Sequence, residues 1–86
     1  MTLIQEITQR LQILAPTVLE ITDDSASHAG HKGNDGGGHF NLKITSSHFL
    51  EISQIIRHRL VYQALNDLIP NRIHALSIQA LAPNEI

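Results

Sequence analysis

Apolar residues return at helical spacing near the start of the chain. Leu3, Ile4, Ile7, Leu11 and Leu14 share one side, which predicts an amphipathic helix over residues 3–14. Thr2 and Gln5 have the spacing of a capping box, and Pro16 closes the segment. The period then changes from about 3.6 to about 2. In Val18-Leu19-Glu20-Ile21-Thr22, Leu19 and Ile21 share a face, so a strand is expected that ends at Asp23-Asp24-Ser25. Farther on, Phe40, Leu42 and Ile44 alternate with Asn41, Lys43 and Thr45 as a second half-buried strand, ended by Ser46-Ser47.

A short helical turn is expected near Phe49 to Ser53. A longer helix follows, with Ile56, Leu60, Val61, Ala64, Leu65 and Leu68 on one side, stopping before Pro70. The last strand runs Ile73 to Ala80, with Leu76, Ile78 and Ala80 facing one way and His74 heading the same row. Pro83 to Ile86 has room for a single turn. The order helix, strand, strand, one or two helices, strand predicts a small α+β domain. Its economical form is a three-stranded sheet with helices on one face.

Between the first two strands lies SHAGHKGNDGGGHF, Ser27 to Phe40, which holds three of the six histidines and all five glycines. If its flanking strands pair, this Gly/His-rich loop, at about residues 24–38, is long for a hairpin and therefore a functional candidate.

At 86 residues, one domain spans residues 1–86, and its core is small. A hydrophobic content of 42% is too high for a disordered chain. The absence of cysteine excludes disulfides, thiol chemistry and thiolate zinc sites, leaving histidine as the best soft ligand. A formal charge of −2 argues against generic nucleic-acid affinity. There is no apolar run of membrane-spanning length and no signal-peptide block in MTLIQEITQRL, so a cytoplasmic protein without membrane contact is expected.

Catalysis is hard to assemble. Asp23, Asp24, Ser25 and His28 supply triad residue types, but neighbours on a loop are not a preorganised site, and no G-x-S-x-G context surrounds them. The glycines lack phosphate-loop spacing. The chain is therefore expected not to be an enzyme.

Histidine chemistry remains. His28 and His31 stand three apart around Ala29-Gly30, and imidazole is a common ligand for zinc, copper and iron. His74 could join a loop histidine if the first and third strands were neighbours. That would supply two or three ligands, half of a site that a partner would complete. Plainer readings stand beside this one: His74 as a hydrogen-bonded edge histidine, His28 and His31 as solvated loop residues, His39 as a polar strand start, His48 as surface. Arg57 lies on the apolar side of its helix, either as an anion contact or, the favoured reading, as a packed arginine whose stem covers the core. Arg59 points to solvent. Two arginines make a poor nucleic-acid footprint.

The runs DDSASHAGH, GGGHFNLKITSSHF, RHRLVYQAL (Arg57 to Leu65) and IHALSIQALAPNE, with IHAL at Ile73 to Leu76, resemble the BolA family over nearly the whole chain. The resemblance implies a class II KH-like fold, α-β-β-α-α-β with a terminal helix that this chain truncates. It also implies a partnership with monothiol, CGFS-type glutaredoxins. In that heterodimer a [2Fe-2S] cluster is shared with the glutaredoxin cysteine and a glutathione thiolate, and no cofactor is expected in the isolated protein.

On this side the family uses the histidine of IHAL, here His74, with a histidine or cysteine of the loop, here His28 first and His31 as runner-up. Imidazole ligation would raise the cluster potential and make its retention sensitive to pH. The family also suggests homodimers, and DNA-binding regulators linked to transcription and stress, for which Arg57, Arg59 and Lys43 are the candidate contacts. No G-x-x-G loop supports that alternative. One departure stands out: the family commonly has glycine two residues after Phe49, where this chain has Glu51.

Overall fold

The computed structural model describes residues 2–24 and 38–86. Helix α1 (Leu3–Arg10) starts at the expected capping box. The Thr2 hydroxyl accepts the Gln5 N–H at 3.2 Å, and the Gln5 side-chain oxygen accepts the Thr2 N–H at 2.8 Å. The expected helix to residue 14 tightens instead into a 3-10 segment, Leu11–Leu14. That change keeps Leu11 and Leu14 buried, and the chain then turns at Ala15, whose φ is 47°. Ile4, expected in the core, is 37% exposed.

Strands β1 (Val18–Asp23), β2 (Gly38–Thr45) and β3 (Ile73–Leu81) form one mixed sheet in the order β1-β2-β3. β1 and β2 are antiparallel, with Leu19 opposite Ile44 and Ile21 opposite Leu42. β2 and β3 are parallel, with Phe40 beside Leu76, Leu42 beside Ile78 and Ile44 beside Ala80. The first and third strands are thus not neighbours, contrary to the adjacency expected for a site joining His74 to a loop histidine. β2 lies between them.

The segment from β2 to β3 contains a 3-10 turn (Ser47–Phe49), with the Ser46 hydroxyl accepting the His48 N–H, and helix α2 (Gln54–Ala64), capped by Ser53. α2 ends earlier than its apolar spacing predicts, and Leu65 and Leu68 reach the core from the turns that follow. A second 3-10 turn, Pro83–Glu85, follows β3.

The core lies between the helices and one face of the sheet. Ile7, Leu11, Phe40, Ile44, Phe49, Val61, Leu65 and Ile73 are all buried there. Each such large side chain contributes roughly 1.5–3 kcal/mol relative to exposure. The opposite face is uncovered and carries Glu20, Thr22, Asn41, Lys43, Ser77 and Gln79, as strand alternation requires.

One core position departs from the apolar pattern. Ile56 is 38% exposed, while Arg57 is buried, because the arginine finds enough acceptors to enter. Its Nε donates to Ile52 O at 2.8 Å, Nη1 to Ala80 O at 3.1 Å, and Nη2 to Glu85 Oε2 at 2.8 Å. Glu85 also accepts the Ala82 N–H at 2.9 Å.

Candidate functional site

The β2–β3 register slips at its first step. Gly38 pairs with Ile73, but His39 pairs with Ala75, so His74 is the extra residue of a bulge. The slip reverses the alternation below it: Ile73 turns into the core, 1% exposed, and His74 turns outward. His74 therefore does not head the Leu76–Ile78–Ala80 row. Gly38 is needed at this step, because a Cβ there would lie 2.3 Å from the Phe40 ring.

His39 stands beside His74. Their ring centroids are 5.3 Å apart and the planes meet at 79°, an edge-to-face contact. His74 is exposed and His39 half-buried. A hollow of about 230 Å³ adjoins His39, lined by Asp24, His39, Phe40, Asn41, Ala75 and Ser77. The Asp24 N–H donates to His39 O at 2.7 Å, so the last described residue of the first segment is fastened beside this pair. His28 and His31 lie outside the described residues, between the Asp24 and Gly38 ends of that connection.

The chemistry on offer is imidazole nitrogen without thiolate. Among the described residues no three His, Asp or Glu side chains are grouped to hold a metal. The described residues bring two imidazoles together, those of His39 and His74, and these two alone are fewer than the four ligands of a closed structural site.

The three candidate anion contacts, Arg57, Arg59 and Lys43, are not brought together. Arg57 is 4% exposed and fully engaged as described above. Lys43 is on the uncovered sheet face, and Arg59 is on the exposed side of α2. His48 is exposed at the 3-10 turn, away from the sheet's histidine end.

The family model for BolA-like protein matches residues 11–85. The chain belongs to the BolA-like family. It is 46% identical over 79 residues to SufE-like protein 1, chloroplastic/mitochondrial, of Arabidopsis thaliana, covering 85% of this chain and 21% of that protein. It is 42% identical over 72 residues to BolA-like protein 1 of Mus musculus, covering 84% and 51%. Among solved structures, BolA1 from Arabidopsis thaliana superposes with a TM-score of 0.85 at 35% identity, covering 100% of this chain and 97% of that one. The chain thus spans about half or less of the two curated relatives it is compared with here.

No helix among the described residues is long and apolar enough to cross a membrane. Glu51, at the position where the family resemblance leads one to expect glycine, takes φ 60°, the left-handed region that glycine enters most easily. The sequence does not place His39 with His74, because the two meet only across the bulge between β2 and β3. The available signal was its place at the head of a strand that also follows the histidine loop.

Proposed function

We propose that this BolA-like chain is a non-catalytic adaptor that binds a monothiol CGFS-type glutaredoxin and co-ligates a [2Fe-2S] cluster, in iron–sulfur delivery or iron and redox regulation. His74 is the strand ligand. One histidine of the loop is the other, His28 by first choice and His31 by second. The observation that carries the reading is the bulge that expels His74 from the core and leaves its ring exposed beside His39.

Chain length supports the pairing. His28 is four residues beyond Asp24, a reach of at most about 14 Å, and Asp24 is bonded next to His39. The lack of cysteine makes the thiolates the partner's contribution, from its cysteine and from glutathione. Likeness to BolA-like proteins and to SufE-like protein 1 supports the iron–sulfur setting.

The test is a titration with [2Fe-2S]-loaded CGFS glutaredoxin, followed by visible absorption and circular dichroism, for wild type, H28A, H31A and H74A. The reading expects a new spectrum at a one-to-one ratio that is lost in H74A and in one loop variant. An unchanged spectrum with no complex in sedimentation would refute it. Duplex binding through Arg57, Arg59 and Lys43 draws no support from the geometry: one cation is buried, and the other two lie on different sides of the molecule.

A further inference from the structure

Two imidazoles on a shared cluster give a partner little orientation, so a specific complex needs an anchoring surface nearby. Such anchors are enriched in tyrosine and arginine within apolar surroundings. Helix α2 presents one. Ile55, Arg59 and Tyr62 stand at i, i+4 and i+7, so they form one stripe along its outer side. Ile55 is 71% exposed and Tyr62 42%, a large apolar exposure for one helix of a small domain.

The charge between them is uncompensated. Arg10, Arg57 and Arg72 each pair with a carboxylate, those of Asp67, Glu85 and Glu6, whereas Arg59 has no ion pair among the described residues. The stripe also adjoins the histidine end. The Tyr62 hydroxyl comes within 3.5 Å of the Leu76 carbonyl, two residues from His74, so the ring leans on the outer edge of β3.

We propose that the Ile55–Arg59–Tyr62 stripe is the docking face for the cluster-carrying partner, an acidic segment of which sets a carboxylate against Arg59 and apolar side chains against Ile55 and Tyr62. This inference rests on the adaptor reading above. Continuity with the His74 end through Tyr62 and the unpaired charge of Arg59 select a negatively charged occupant.

Isothermal titration calorimetry of the whole chain with loaded CGFS glutaredoxin tests it, using wild type, Arg59→Glu, Arg59→Gln, Tyr62→Ala and, on a distant surface, Gln12→Glu. Thermal melts confirm that each variant folds. Arg59→Glu is expected to weaken binding by about tenfold or more and Tyr62→Ala by about fivefold. Arg59→Gln is expected to lose less and to show a shallower dependence on salt. The cluster's circular dichroism at saturation should stay that of wild type, and Gln12→Glu should bind within about twofold of it. Arg59→Glu and Tyr62→Ala binding within twofold of wild type would overturn the docking face while leaving the adaptor reading intact. A change confined to self-association of the chain would also overturn it, assigning the stripe to a second copy. Wild type forming no complex would refute the adaptor reading and this inference with it.

Discussion

The two ends of β3 are built on opposite terms. At the C-terminal end, Ala80 and Ala82 are buried, and the carbonyl of Ala80 and the N–H of Ala82 are both taken up by the Arg57–Glu85 pair. The same guanidinium reaches back to Ile52, so one side chain joins the turn before α2, the helix itself, the strand end and the last 3-10 turn. At the N-terminal end the register slips, the His74 imidazole is expelled, and it lies against the ring of His39, which itself lines a hollow with Asp24, Asn41 and Ser77. Polar side chains at the first end face inward to satisfy backbone; at the second the His74 imidazole faces outward, beside a half-buried His39. The first end contributes stability. The second is the end that the proposed adaptor role assigns to the partner, where contact would not loosen the core.

Substitutions that separate these roles should behave accordingly. Arg57→Ala removes the joint and leaves buried acceptors unmet, so Tm should fall on the order of 10 °C, read by a circular-dichroism melt. A change below about 2 °C would show that the clamp is dispensable. His74→Ala should do the reverse: the cluster spectrum of the mixed complex is lost, while Tm stays within about 2 °C of wild type, since the ring is exposed. A large drop in Tm would mean that His74 serves the fold instead.

Glu85→Gln refines the first end. The Arg57 hydrogen bond, together with the Ala82 N–H, lowers the Glu85 pKa from 4.5 to about 2. A carboxylate held lower in the folded state stabilises fully above its unfolded value and loses that contribution as pH falls through the folded one. The difference in Tm between wild type and Glu85→Gln should therefore be full at pH 7, shrink below pH 4.5 and vanish near pH 2. A difference independent of pH would assign it to packing.

The smallest effect concerns the turn before α2. Left-handed backbone costs a non-glycine residue roughly 1–2 kcal/mol, and glycine returns about 0.5–1 kcal/mol of that as unfolded-chain entropy. Glu51→Gly should thus gain about 0.5 kcal/mol in urea unfolding, and a loss would show that the Glu51 side chain matters more than its φ of 60°.

Much of the frame was legible because it rests on local periodicity. The alternation of Phe40, Leu42 and Ile44 and the Thr2–Gln5 cap appear where the spacing places them. The domain is a small α+β one with its helices against one sheet face, as expected. Features that arise only when strands meet were not legible. The bulge at His74 depends on how β3 registers with Gly38 and His39, and neither stretch shows it alone. The adjacency of His39 and His74 requires β2 in the middle of the sheet, which spacing cannot tell from the alternative with β1 beside β3. Arg57 occupied a core position in the helical pattern, and only its acceptors at Ile52, Ala80 and Glu85 explain why a charge is tolerated there while Ile56 is turned out.

The central claim is that the exposed imidazole of His74 binds the shared cluster directly. It is tested most directly by pulsed electron paramagnetic resonance of the reduced complex, prepared with histidine-¹⁵N-labelled chain and unlabelled glutaredoxin, for wild type, His74→Ala and His48→Ala. The account predicts strong ¹⁵N couplings from two imidazoles in wild type and in His48→Ala, and loss of one in His74→Ala. Couplings that are absent from wild type, or that survive unchanged in His74→Ala, would contradict it.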